Sequence, residues 1–88
     1  MSEIETFDKV TMFGAGWCRD CRRSKALLDG LGVDYTYIDV EADESAAARA
    51  EAISGRKSIP VVVLPGGKHF VEPSDEELRA ELELSDLV

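Results

Sequence analysis

Gly16-Trp17-Cys18-Arg19-Asp20-Cys21-Arg22-Arg23 is the stretch that decides how this chain folds. It holds both cysteines, two residues apart. An apolar run, Val10-Thr11-Met12-Phe13, and a small-residue turn, Gly14-Ala15-Gly16, come before it. A helical pattern, Ser24-Lys25-Ala26-Leu27-Leu28, comes after it. C-x-x-C at the junction of a strand and a helix reads as a dithiol redox site. Residues i and i+3 on a first helical turn share one face, so their sulfurs can meet. The first N–H groups of a helix have no internal partner and carry partial positive charge. Cys18 sits where those groups point. A sulfur anion is stabilised there, and the anion is the reactive form.

The flanks of the motif are basic. From Cys18 to Lys25 there are four bases, Arg19, Arg22, Arg23 and Lys25, against one acid, Asp20. Arg19 and Arg22 each adjoin a cysteine and are candidates for thiolate stabilisation or anion steering. Arg23 reads as a solvated helix face. Asp20 adds negative charge beside the thiols and is either offset by Arg19 and Arg22 or the sign of a less acidic Cys18. Trp17, an aromatic beside the candidate nucleophile, is expected to line a substrate groove.

Working outward, Lys9 to Phe13 reads as a short buried strand after a loose lead-in over residues 1–8. Helix one is expected from near Cys18 to about Leu28. Ala26, Leu27 and Leu31 should face inward, with Gly30 or Gly32 as the stop. Tyr35 to Val40 is a strand of β-branched and aromatic residues. Asp43 is the expected N-cap of helix two, which turns Ala46, Ala47, Ala50 and Ile53 to the core and ends at Gly55. Ile59 to Leu64 is the strongest strand pattern, with Pro60 tolerated at its start. Pro65-Gly66-Gly67 suits a type II turn into a return strand, Lys68 to Val71. Ser74 followed by Glu77 is a capping box that opens helix three, Asp75 to about Leu84, with Leu78 and Leu82 inward.

The order is β-α-β-α-β-β-α. The first β-α-β gives parallel strands and the closing hairpin adds antiparallel ones. Helices one and three are expected on one face of the sheet and helix two on the other.

At 88 residues, a single domain spanning 1–88 with its core over about 9–84 is expected. The apolar fraction, 44%, is ordinary for a soluble globular protein. No apolar run approaches the roughly 18 residues of a membrane span. The acidic start, Met1-Ser2-Glu3-Ile4-Glu5, lacks the basic and apolar regions of a signal peptide, so a cytoplasmic location is expected. Two cysteines there point to catalysis or metal binding more than to a structural staple. A net charge of −8 argues against nucleic-acid binding. Zinc wants four ligands, and two thiols with one distant histidine, His69, do not supply them, so no metal site within one chain is expected. His69 reads as a surface residue without a role.

The chain resembles the glutaredoxins, within the thioredoxin-like α/β fold. Three matches carry the resemblance: Trp17-Cys18-Arg19-Asp20-Cys21 after the first strand, Ser58-Ile59-Pro60 before the third, and Glu72-Pro73-Ser74-Asp75 before the last helix. It implies a four-stranded mixed sheet flanked by three helices and a thiol-disulfide oxidoreductase. Cys18 is then the nucleophile and Cys21 the resolving thiol. Pro60 is the cis-proline facing them, and Ile59 offers its backbone to the bound thiol or peptide. Ser74 and Asp75 lie where glutaredoxins bind the γ-glutamyl end of glutathione.

Two departures shift the expected co-substrate. Ala15 stands where glutaredoxins often carry lysine, and Glu72-Pro73 where they usually carry Gly-Gly. Trp17-Cys18 with Val71-Glu72-Pro73-Ser74 resembles the mycoredoxin branch, which uses mycothiol instead of glutathione. Arg19-Asp20 replaces the Gly-Tyr usual inside that motif. The expected partners are disulfide-containing or thiol-capped proteins and a thiol or flavoprotein reductase system, with no tightly bound cofactor, acting as a monomer. An alternative is the dithiol electron donor of ribonucleotide reductase, recharged by thioredoxin reductase, though its usual Trp-Ser-Gly-Phe stretch is missing. Another is an iron–sulfur cluster shared between two chains, known among glutaredoxins.

Overall fold

Strand β1, Val10–Gly14, is the centre of the molecule, and all five of its residues are buried. A computed structural model describes residues 6–88; the rest of the expected lead-in, residues 1–5, lies outside the described residues. β1 pairs parallel with β2, Tyr35–Asp39, and antiparallel with β3, Val61–Val63, which pairs antiparallel with β4, His69–Val71. The sheet order is β2-β1-β3-β4. The helices are α1, Arg19–Gly30; α2, Glu44–Ser54; and α3, Asp75–Leu84. This is the thioredoxin-like arrangement that the resemblance to the glutaredoxins implied.

Alternation along the two central strands sorts the core into two halves. Val10 and Met12 of β1, with Val62 and Leu64, pack with Leu28, Leu78 and Leu82 from α1 and α3. Phe13, Val61 and Val63 face the other way, against Ala50 and Ile53 of α2. Phe7 meets Phe13 edge-on there, at 6.0 Å between ring centres, and the Arg49 guanidinium lies over both rings. Both cysteines belong to the α1/α3 half. The redox motif is therefore anchored in the core.

The ends of the helices follow local chemistry. Asp43 caps α2 through Ser45 N–H, and Gly55 closes it in the left-handed conformation at φ 77°. Ser74 and Glu77 exchange side-chain-to-backbone bonds across the first turn of α3. Leu64 accepts from Gly67 N–H at 3.0 Å, closing the turn whose third residue, Gly66, has φ 100°.

Three expectations need correction. α1 buries Cys21, Ser24 and Leu28, with Leu27 and Leu31 half-buried against the same core as expected, while Ala26 is exposed. Cys21 at the helix start fixes the rotation, and every third or fourth residue after it turns inward. Ala47 of α2 is likewise exposed, since Ala46 and Ala50 define that helix's buried line. β3 is only three residues long, because Ser58 to Pro60 form a loop beside the cysteines rather than the start of a strand. The buried Ser24 hydroxyl has no hydrogen-bond partner among the described residues.

Candidate active site

Cys18 is the N-cap of α1, with extended backbone (φ −79°, ψ 117°). Its Sγ accepts the Cys21 N–H at 3.2 Å, as a serine or aspartate would in the usual cap. The helix end therefore delivers one of its free N–H groups to this sulfur. The cap position follows from Gly14-Ala15-Gly16: small residues let the chain leave β1 and turn, and Cys18 N–H bonds back to the Ala15 carbonyl at 3.1 Å. The Cys18 thiol faces the Ile59 carbonyl at 3.9 Å. The Ile59–Pro60 peptide bond is cis, and Pro60 is buried. Glu72 N–H holds the Pro60 carbonyl at 2.9 Å, tying this loop to the end of β4.

The two cysteines differ in environment. Cys21 is 1% exposed and Cys18 8%. Burial above all, then the side-chain hydrogen bond with Cys18, pushes the Cys21 thiol up to about 12, while a backbone hydrogen bond with Ala15 works the other way. Cys21 is therefore a protonated thiol at neutral pH. The backbone beneath it is tight: a Cβ on Gly14 would lie 3.1 Å from the Cys21 Sγ. Glycine at this strand end leaves the Cys21 side chain its room.

Trp17 stands out from the surface at 66% exposure. With Ile59 it borders a groove of about 430 Å³ that runs to Ala47, Ala48 and Glu51 of α2, with Arg56 and Lys57 at its rim. The exposed Ala47 thus lines a groove instead of the core. A smaller cleft of about 270 Å³ lies on the other side of the motif, lined by Cys21, Arg22, Lys25, Tyr37 and Asp39.

The arginines divide differently from the expectation. Arg19 is exposed on the first turn. Arg22 Nη1 donates to the Gly16 carbonyl at 2.9 Å, bracing the turn before Cys18. The partner of Asp20 is Arg23, at 3.2 Å, and neither Arg19 nor Arg22. Arg23 also reaches Asp75 at 3.5 Å and donates to the Pro73 carbonyl at 3.2 Å. The i,i+3 spacing of Asp20 and Arg23 was the available signal, and a helix face read only as solvated hides it. Ser74 and Asp75 lie at the start of α3 with existing partners: Ser74 with Glu77, Asp75 with Arg23. His69 is exposed on the edge strand β4.

A thiol pair at a helix start, one sulfur capping and one buried, facing a cis-proline loop, defines a thiol-disulfide oxidoreductase of the thioredoxin-like class. Residues 10–70 match the glutaredoxin family model. Mycoredoxin 1 of Corynebacterium glutamicum is 36% identical over 76 residues, covering 84% of this chain and 92% of that protein. The crystal structure of a glutaredoxin from Archaeoglobus fulgidus has a TM-score of 0.73 at 32% identity, covering 82% of this chain and 83% of that one. NrdH-redoxin of Escherichia coli, at 21% identity, shares the fold with a TM-score of 0.71 over 82% of this chain and 92% of that one. The chain belongs to the glutaredoxin family.

Proposed function

We propose that this protein reduces mixed disulfides between proteins and a low-molecular-weight thiol, with mycothiol preferred over glutathione, and that it does so in the cytoplasm. The observation that carries the reading is the Cys18 sulfur, capped by Cys21 N–H and facing Ile59 beside Pro60. Similarity to Mycoredoxin 1, with Ala15 and Glu72-Pro73 in place of the glutathione-type residues, supports the choice of thiol. The Cys18 thiolate attacks the small-thiol sulfur of the mixed disulfide. The target protein leaves as its thiolate, and Cys18 carries the small thiol as a new disulfide. A second small thiol, as thiolate, attacks that adduct. It departs with the first as the oxidised dimer, and Cys18 returns to its thiolate. Trp17, Ile59 and Pro60 position the adduct in this reading, the exposed Arg19 steers anionic substrates, Arg22 braces the turn before Cys18, and Ser74 and Asp75 border the site from α3.

Cys21 stands outside this cycle. Its attack on the adduct would close a Cys18–Cys21 disulfide, and its thiol, held protonated by burial, is slow to make that attack at neutral pH. Cys18→Ser should abolish reductase activity while preserving the fold, since serine is a strong N-cap. Cys21→Ser should keep turnover of a mycothiol-capped substrate and lose reduction of a protein disulfide. Loss of both activities in Cys21→Ser would replace the one-cysteine cycle with a dithiol one. Equal turnover with glutathione and its reductase would remove the preference for mycothiol.

A further inference from the structure

We propose that Arg23 is a positioning residue for the redox centre: it binds the Asp20 carboxylate into a bridge with α3 and so keeps that charge from opposing the Cys18 thiolate. The inference rests on Cys18 being the nucleophile. Asp20 occupies the second position of α1, between the cysteines. A carboxylate there competes with a thiolate for the same helix end and repels it.

Three nitrogens of one guanidinium meet three partners. Nη1 lies 3.2 Å from Asp20, Nε lies 3.5 Å from Asp75, and Nη2 donates to the Pro73 carbonyl at 3.2 Å. The planar fork of arginine allows this, and a lysine ammonium could not span the same set. The neighbouring cations are otherwise placed: Arg22 braces Gly16, and Arg19 has no ion pair among the described residues. Each member of the bridge is about half exposed, at 43–48% of its side chain, so the effect is modest and sensitive to salt.

The test is the rate at which iodoacetamide alkylates Cys18 in the reduced protein, read by mass spectrometry at neutral pH and low salt. Arg23→Gln should slow it about twofold to fivefold, the upper range for a half-exposed ion pair. In the Asp20→Asn background the same change should slow it by less than about twofold, and the loss in the Asp20 background should shrink in roughly 1 M salt. Arg23→Lys should recover part of the rate. A purely structural Arg23 would slow both backgrounds equally and ignore salt, which overturns the proposal, as does an unchanged rate in Arg23→Gln. If Arg23→Gln fails to fold, Arg23→Lys decides by the same comparison. No disulfide substrate or cellular thiol is present in this assay, so it can fail while the reductase reading stands, and the Cys18→Ser assay can fail while this one succeeds.

Discussion

Gly14→Ala should destabilise the protein through the dithiol. An ideal Cβ at Gly14 falls 3.1 Å from Cys21 Sγ, 3.2 Å from Cys21 Cβ and 3.3 Å from Met12 Cε. The Met12 methyl is the end of a flexible chain and can move. Cys21 cannot move so freely, because it lies on the first turn of α1 and its own N–H caps Cys18. Overpacking of this kind costs about 1–3 kcal/mol. Losing a glycine from the unfolded chain returns roughly 0.4–1 kcal/mol. The net loss should be up to about 2.5 kcal/mol, read as a lower urea midpoint at constant slope. Gly16→Ala is the control: nothing lies within 4 Å of its Cβ, so it should be neutral or slightly stabilising. In a Cys21→Ala background the sulfur contact is gone, and Gly14→Ala should cost less. The Cys21 Cβ, at 3.2 Å, remains in that background, so an equal cost in both would refute the claim that the sulfur keeps Gly14 small, and no cost in either would refute any role of Cys21.

Two further outcomes are expected. The Cys21 thiol is raised from 9.0 to about 12 on folding, so between those pH values the unfolded chain binds fewer protons than the native one, and stability present below about pH 9 is lost as pH rises. Urea midpoints of the reduced protein against pH should show this slope, and Cys21→Ala should flatten it, leaving the smaller share of Lys25, Tyr35 and Tyr37, whose raised values act in the same direction. Glu72→Gly should stabilise the protein by up to about 1 kcal/mol, because relief of the left-handed penalty at φ 50° exceeds the roughly 0.4–1 kcal/mol that glycine costs through the unfolded chain; a lowered melting temperature would count against it.

Most of the fold was legible because its signals are local. Asp43, Gly55 and the Ser74–Glu77 pair mark helix ends by their own hydrogen bonds, and those bonds form as expected. Val61-Val62-Val63-Leu64 reads as a strand from composition alone, while the structure shows which of its residues face α1/α3 and which face α2. The inward face of α1 was misjudged because apolar character pointed to Ala26, while the rotation is set by Cys21, a residue read for its chemistry. The partners of Arg23 on α3 were illegible for another reason. Pro73 and Asp75 lie some fifty residues further along the chain, and only the packed α1 and α3 bring them to one guanidinium.

The same distinction explains why the motif is informative and its tuning is not. Cys18 and Cys21 are set by local geometry: one caps the helix and the other is the third residue within it, so C-x-x-C places them wherever a helix begins. Their reactivity depends on what the fold brings from elsewhere. The Ile59 carbonyl comes from the loop before β3, the wall behind Cys21 is Gly14 of β1, and the counter-charge to Asp20 is anchored on α3. Arg19-Asp20 inside the motif therefore cannot be read as a pair. Asp20 turns to Arg23 one turn further along α1, Arg19 is left to solvent, and Arg23 is itself held by Asp75 and Pro73 at the start of α3. Substitutions at Asp20, Arg23 and Asp75 should consequently behave as one coupled unit, although two of the three lie outside the motif.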